Sequence, residues 1–330
     1  ISYVEDEEGL DAKDCVDELA ADLHTVVNVE EEKHDEQTQT EAAQRVPTEE
    51  FMQSSIQGDM FADSPLGDVA EPEKVPPALP AFTKLVNCRK IFVFVQSLVA
   101  NLNMQDGEQC FKLYIQAAAA ADCCASVVGS RGGNTGDFAP IAYTFFTEAF
   151  LAYETGISDS KVQVNAITTM VGALLSCKAF SSSDYETLIT KVTQYAARLL
   201  KKIDQCKMVM LCSHLFYVYG ANRYQNPQRT LECLQRSLKV ADVCVSSNPG
   251  NLQLFVDIFD IYLYHFEKEN PMISDKYISG LIALVNEHIA SIGGNPTIAD
   301  AKSQFIQTVK HIEEKKIEAR FSGIVCNISD

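Results

Sequence analysis

Cys206, Cys212 and His214 are the residues whose types and spacing come nearest to a reactive or metal-holding set. Thiolates and neutral imidazoles are zinc ligands, taken tetrahedrally and in fours, usually from a C-x2-4-C start. Here the spacing is C-x5-C-x-H and no fourth ligand stands nearby, so the three read as a core cluster. Gly129-Ser-Arg-Gly-Gly-Asn-Thr-Gly136 precedes a helix and offers backbone N–H groups to a phosphate. A phosphate loop of the GxxxxGK[ST] kind also needs its Lys-Ser/Thr pair, which is absent, so this stretch reads as a solvated loop. Cys123 and Cys124 are successive and face different directions on a helix, which suits a structural role. No GxSxG or HExxH signature occurs, and the six histidines are scattered. No catalytic, cofactor-binding or metal-binding residue is therefore assigned.

The aromatic residues point to protein contact instead. In 249–269, Leu252, Phe255, Val256, Phe259, Leu263 and Phe266 form one apolar stripe, and Leu254, Ile258, Ile261, Tyr262 and His265 form another. A helix apolar nearly all round is either sandwiched between neighbours or offers a second face to a partner. Tyrosine combines a large apolar area with a polar tip and is enriched at interfaces. Phe216, Tyr217, Tyr219, Tyr262, Tyr264, His265 and Phe266 are accordingly the candidate partner-binding residues.

These residues must be held by helices. Asn226-Pro227, Asn248-Pro249 and Asn270-Pro271 recur at equal spacing. Asn accepts from a free N–H at a helix start, and Pro suits the first helical position. Asp106-Gly-Glu-Gln109 and Ser183-Asp-Tyr-Glu186 have capping-box form, and Ser158 is placed as the cap of a further helix. Asp159 supplies an acid to that helix's first turn, where it complements the dipole. The Ala117–Ala121 run predicts close approach of a neighbouring helix. Together these signals predict ten helices over 78–320 and no strand. Short loops make successive helices antiparallel, and the step per helix pair, about 44–49 residues, is close to the HEAT/armadillo period. The fold class is all-α: an α-solenoid of HEAT-like antiparallel helix pairs, whose concave face suits protein binding.

The charge is unevenly distributed. Of the 330 residues, the first 80 hold 22 acidic against 4 basic side chains, and the rest carry 23 of each. Residues 1–75 read as an acidic, largely disordered arm or insertion, with a short amphipathic helix at 11–28 built on Val16, Leu19, Leu23 and Val26. Residues 76–330 form the solenoid. Limited proteolysis is expected to nick 1–75 first and leave a body starting near Val75; early cleavage inside 78–270 would overturn that boundary. A neutral body without a basic stripe argues against nucleic acid. No run of 18 apolar residues and no signal peptide is read, and the 11 cysteines fit reduced thiols in a cytosolic setting.

The words CRKIFVFVQSLVANL, YETGISDSKVQVNAIT, CSHLFYVYG, RTLECLQRSLKVADVC and FDIYLYHFEKEN resemble the C-terminal half of the vacuolar protein sorting-associated protein 35 family, the large α-solenoid subunit of retromer. The resemblance covers 76–270, fades after Asn270 and leaves 1–75 without a counterpart. It implies a non-enzymatic scaffold on the cytosolic face of endosomes, without cofactor, peripheral to the membrane through its complex. It further implies that the solenoid clamps a small metallophosphoesterase-fold subunit, vacuolar protein sorting-associated protein 29. Self-association in the coat and binding of endosomal regulators are implied as well. The alternatives are another transport solenoid, such as a nuclear carrier or vesicle-coat subunit, and an all-α enzyme with a deep polar pocket.

Overall fold

The computed structural model describes residues 87–102, 106–130, 138–220, 223–292 and 296–327. The expectations for 1–75, for a helix at 11–28, for a helix start at 78 and for most of the glycine-rich loop lie outside these residues. Within them are ten α-helices: α1 (Cys88–Leu102), α2 (Gly107–Ser130), α3 (Ala139–Gly156), α4 (Ser160–Ser176), α5 (Ser182–Ala197), α6 (Lys202–Phe216), α7 (Pro227–Ser247), α8 (Gln253–Glu267), α9 (Asp275–Ile292) and α10 (Ala299–Lys315). Short 3-10 turns, Pro249–Leu252 and Pro296–Ile298, lead into α8 and α10. Tyr217 and Gln225 make one isolated antiparallel bridge, and no strand occurs among the described residues.

Half of the capping signals read from the sequence act at the predicted residue. Asp106 Oδ1 accepts from the N–H of Gln109 at 2.9 Å, and Asn226 Oδ1 from that of Arg229 at 3.2 Å. Asn248 Oδ1 accepts from Gly250 at 3.0 Å and opens a 3-10 turn rather than an α-helix. Three starts differ. Asp159, not Ser158, caps α4, its Oδ1 accepting from Lys161 and Val162 at 2.9 and 3.0 Å. Ser181, not Ser183, caps α5: its Oγ accepts from the Asp184 N–H at 3.1 Å and donates to the Asp184 carboxylate at 2.7 Å. Asn270-Pro271 opens no helix; Asn270 Oδ1 accepts from Met272 in a turn, and α9 begins only at Asp275.

The chain divides into two compact units. The described part of one comprises 87–162 and 176–184. In it α2 and α3 run antiparallel: Gly107 at the start of α2 touches Gly156 at the end of α3, and Tyr114 meets Phe145 further along, 6.2 Å between ring centroids. Small residues permit this approach. Ala117, Ala118, Ala121 and Ala125 of α2 and Ala142, Ala149 and Ala152 of α3 are all buried. The α2 residue Asp122 is buried too, its Oδ1 accepting from the N–H groups of Lys178 and Ala179 at 2.9 and 2.8 Å. Residues 107–128 hold no unbroken run of 18 apolar residues, yet they are long and apolar enough to cross a membrane by length and composition. Packing against α1 and α3, and the hydrogen-bonded Asp122, account for that apolarity as helix core.

A Cβ at Gly156 would stand 2.7 Å from the Gly107 Cα, a backbone atom that cannot rotate away. Gly to Ala in a helix ordinarily gains about 0.5–1 kcal/mol. Forcing two packed helices apart costs about 1–3 kcal/mol, so the steric effect wins. Gly156→Ala is expected to lower the thermal midpoint of this unit; a raised midpoint would show that the helices part freely.

The other unit's described part comprises 163–175 and 185–327. Adjacent helices are antiparallel. In α6 and α7, Cys206 pairs with Ser237, and Phe216 lies under Arg229. In α8 and α9, Phe255 stacks on His288 at 4.8 Å and Tyr262 on Tyr277 at 6.3 Å. Helices two apart are parallel. Thr168 of α4 meets Met208 of α6, Ser213 of α6 meets His265 of α8, and Thr308 of α10 meets Asp260 of α8. These contacts join residues 40, 52 and 48 positions apart, the step of a helical repeat. Helix α8 packs against α6, α7, α9 and α10, which explains why both its stripes are apolar.

Candidate protein-interaction surface

The seven candidate residues converge where the C-terminal ends of the parallel helices α6 and α8 lie side by side. Helix α6 stops at Phe216, after which the chain doubles back. Gly220 takes φ 132°, in the left-handed region glycine favours, and Val218 N–H donates to Tyr224 at 3.0 Å. This return places Tyr217 beside α8, where its hydroxyl donates to the Glu269 carbonyl at 3.2 Å. Helix α8 ends in a turn whose last residue, Glu269, sits at φ 60°, and Asn270 N–H donates back to the His265 carbonyl at 3.0 Å.

The structure divides the seven. Phe216, Tyr217, Tyr262, His265 and Phe266 are buried, so in this fold they are packing residues rather than surface. Only Tyr219 and Tyr264 are exposed, at 65% and 36%. The Lys268 ammonium joins these two, lying 4.6 Å from the Tyr219 ring centroid and 5.7 Å from that of Tyr264. Beneath them, His214 makes an edge contact with Tyr264 at 4.9 Å and a tilted contact with His265 at 5.1 Å. His265 Nε2 lies 3.2 Å from Ser213 Oγ, while its Nδ1 has no protein partner. Burial, and then the neighbouring His214, push the His265 imidazole down to about 3; burial lowers His214 as well. Both rings are therefore neutral at physiological pH and act as flat packing groups under the exposed tyrosines.

Sequence reasoning missed Lys268 and His214 as members of this cluster. The i, i+4 spacing of Tyr264 and Lys268 was the available signal. Tyr262, by contrast, faces the core. Its hydroxyl is buried and unpaired, and its ring stacks on Tyr277. An unpaired buried hydroxyl costs about 1–3 kcal/mol. Tyr262→Phe is therefore expected to stabilise the chain by about 1 kcal/mol in urea unfolding; a loss of stability would reveal a partner for that oxygen.

The first cysteine and histidine set does not come together. Cys206 points to α7, its Sγ donating to the Ser237 carbonyl, and Cys212 is wholly buried. Burial pushes the Cys206 thiol up to about 12 and the Cys212 thiol higher still. His214 turns away, toward α8. No group of three or more histidine, cysteine or acidic side chains is arranged to hold a metal among the described residues. Beside α8 a polar seam ties α10 in place: Asp260 accepts from Gln304 and Thr308, and Glu267 from Lys315 and His311, all at 2.6–2.8 Å. Burial raises the Asp260 carboxyl despite these bonds. At Glu267 burial also pushes upward, but the bonds from Lys315 and His311 prevail and lower it.

An all-α repeat whose clustered polar residues are spent on packing and helix ends belongs to the class of helical-repeat scaffolds. Comparison with known families makes the assignment specific. The family profile described as vacuolar protein sorting-associated protein 35 matches residues 18–288, and the chain belongs to that family. It is 38% identical over 242 residues to vacuolar protein sorting-associated protein 35B of Arabidopsis thaliana, covering 71% of this chain and 29% of that relative. It is 39% identical over 211 residues to the vacuolar protein sorting-associated protein 35 of Schizosaccharomyces pombe, covering 62% and 24%. The Dictyostelium discoideum protein of the same name is 30% identical over 230 residues, covering 68% and 27%. The chain thus spans less than a third of the length of these relatives. The family match begins at residue 18, so it takes in most of the acidic stretch that the sequence words had left without a counterpart, and it continues past Asn270. Members of this family are sorting subunits rather than enzymes.

Proposed function

We propose that this chain is the C-terminal scaffold portion of a retromer subunit, working without catalysis at the cytosolic face of endosomes. Its helical repeat presents a surface to the small metallophosphoesterase-fold subunit, vacuolar protein sorting-associated protein 29, and contributes to coat assembly in retrograde and recycling transport. Contact with the membrane is peripheral, through the complex. The observation that carries this reading is the parallel stacking of α6 and α8 within a chain of this family. That stacking leaves Tyr219 and Tyr264 exposed on a fixed base, with the half-buried Lys268 joining them. In the proposed contact these two tyrosines are the anchors, and the five buried members of the original seven hold them in place.

Co-purification with the metallophosphoesterase-fold subunit tests the reading. Binding is expected for the wild-type chain. A Tyr219→Ala, Tyr264→Ala double variant is expected to bind about thirtyfold more weakly, the effect of losing about 2 kcal/mol at an interface hot spot. Absence of wild-type binding, where another retromer solenoid binds, would overturn the partner. Unchanged binding by the double variant would overturn the anchors.

A further inference from the structure

We propose that Cys88 and Cys124 form an oxidant-responsive thiol pair whose disulfide staples α1 to α2. The two helices form a hairpin, and its register is set where the Cys110 thiol of α2 donates to the Val99 carbonyl of α1 at 3.5 Å. At about 100° per residue, Cys88 lies three turns before Val99 on nearly the same face of α1. Cys124 lies four turns after Cys110 on nearly the same face of α2. Antiparallel helices therefore bring the start of α1 to the last third of α2, where the Cys88 and Cys124 side chains are neighbours. Cys88 is exposed and Cys124 half-buried, so an oxidant in solution meets Cys88 first. Cys123 is also exposed, but one residue along a helix turns it about 100° from Cys124. Burial and the neighbouring thiols make Cys124 a weaker acid than an ordinary thiol, which leaves it reduced until its partner is oxidised.

The oxidant is a peroxide. The Cys88 thiolate attacks one peroxide oxygen and the O–O bond breaks, giving the Cys88 sulfenic acid and, after protonation, one water. The Cys124 thiolate then attacks the Cys88 sulfur, forming the S–S bond and releasing the sulfenic oxygen as a second water. Two thiols lose two electrons and two protons, and one hydrogen peroxide becomes two waters. The bond would close α1 and α2 into a single covalent hairpin, and a thiol reductant would reopen it.

The test uses the full chain, treated with hydrogen peroxide, alkylated with iodoacetamide under denaturing conditions and digested with trypsin. The expected product joins Leu85–Arg89 to Leu113–Arg131, with loss of alkylation at Cys88 and Cys124, and dithiothreitol reverses it. Cys123→Ser should retain this product, while Cys124→Ser and Cys88→Ser should each abolish it. A linked product that persists in Cys124→Ser, or Cys88 alkylated to the same extent with and without peroxide, would overturn the pair.

Discussion

Stability is expected to fall as pH drops from 7 to 5, and His265 is the main reason. Its imidazole is wholly buried beneath Tyr264, with Ser213, His214 and Tyr217 around it. Burial and His214 hold its folded pKa near 3, against about 6.5 in the unfolded chain. Between those values the unfolded state binds a proton that the folded state refuses, so stability rises with pH throughout the window. Above 6.5 both states are neutral and the effect vanishes; below about 3 both are charged. At about 1.4 kcal/mol per pH unit, the chain should be about 2 kcal/mol less stable at pH 5 than at pH 7 from this residue alone. His214, lowered in the same direction, adds to the slope. Glu267 and Asp260 act in opposite senses, because one is lowered and the other raised. Urea unfolding of wild type and His265→Phe at pH 5, 6 and 7 isolates the histidine. The variant should show a markedly flatter dependence, and parallel curves would refute the assignment.

Phe259→Ala is expected to cost about 3–5 kcal/mol, and Tyr264→Ala less than about 1 kcal/mol, although the two sit five residues apart on one helix. Phe259 is fully buried on α8 and packs on Phe305 of α10, 5.7 Å between centroids, so truncation opens a cavity inside a multi-helix contact. Tyr264 is exposed, touching His214, His265 and the Lys268 ammonium. Measured by urea unfolding, the contrast separates the two roles that α8 residues play. Equal costs would mean that Tyr264 belongs to the core, and its assignment as a partner anchor would fall.

Chain-local features were legible before any coordinates. The number of helices follows from apolar periodicity and from caps such as Asp106 and Asn226, because a helix start is decided by groups within three residues of one another. Where two caps compete, as with Ser158 beside Asp159 or Ser181 beside Ser183, periodicity does not choose; the hydrogen bonds made do. The repeat step was likewise implicit in even helix lengths and short loops. The family, too, was carried by its sequence words and confirmed by comparison.

The exposed faces required tertiary structure. Tyr262 and Tyr264 are both tyrosines on one helix, two residues apart. One is sealed against Tyr277, and the other stands above His214 in reach of Lys268. Composition assigns them the same role, because a residue's exposure depends on which helices pack against it, the next one for Tyr262 and one a repeat away for Tyr264. The sequence alone determined the helices and their period, which are local hydrogen-bond and solvation effects. The fold decided that five of the seven candidate aromatic and histidine side chains are core and two are surface, because burial belongs to the packing of several helices at once.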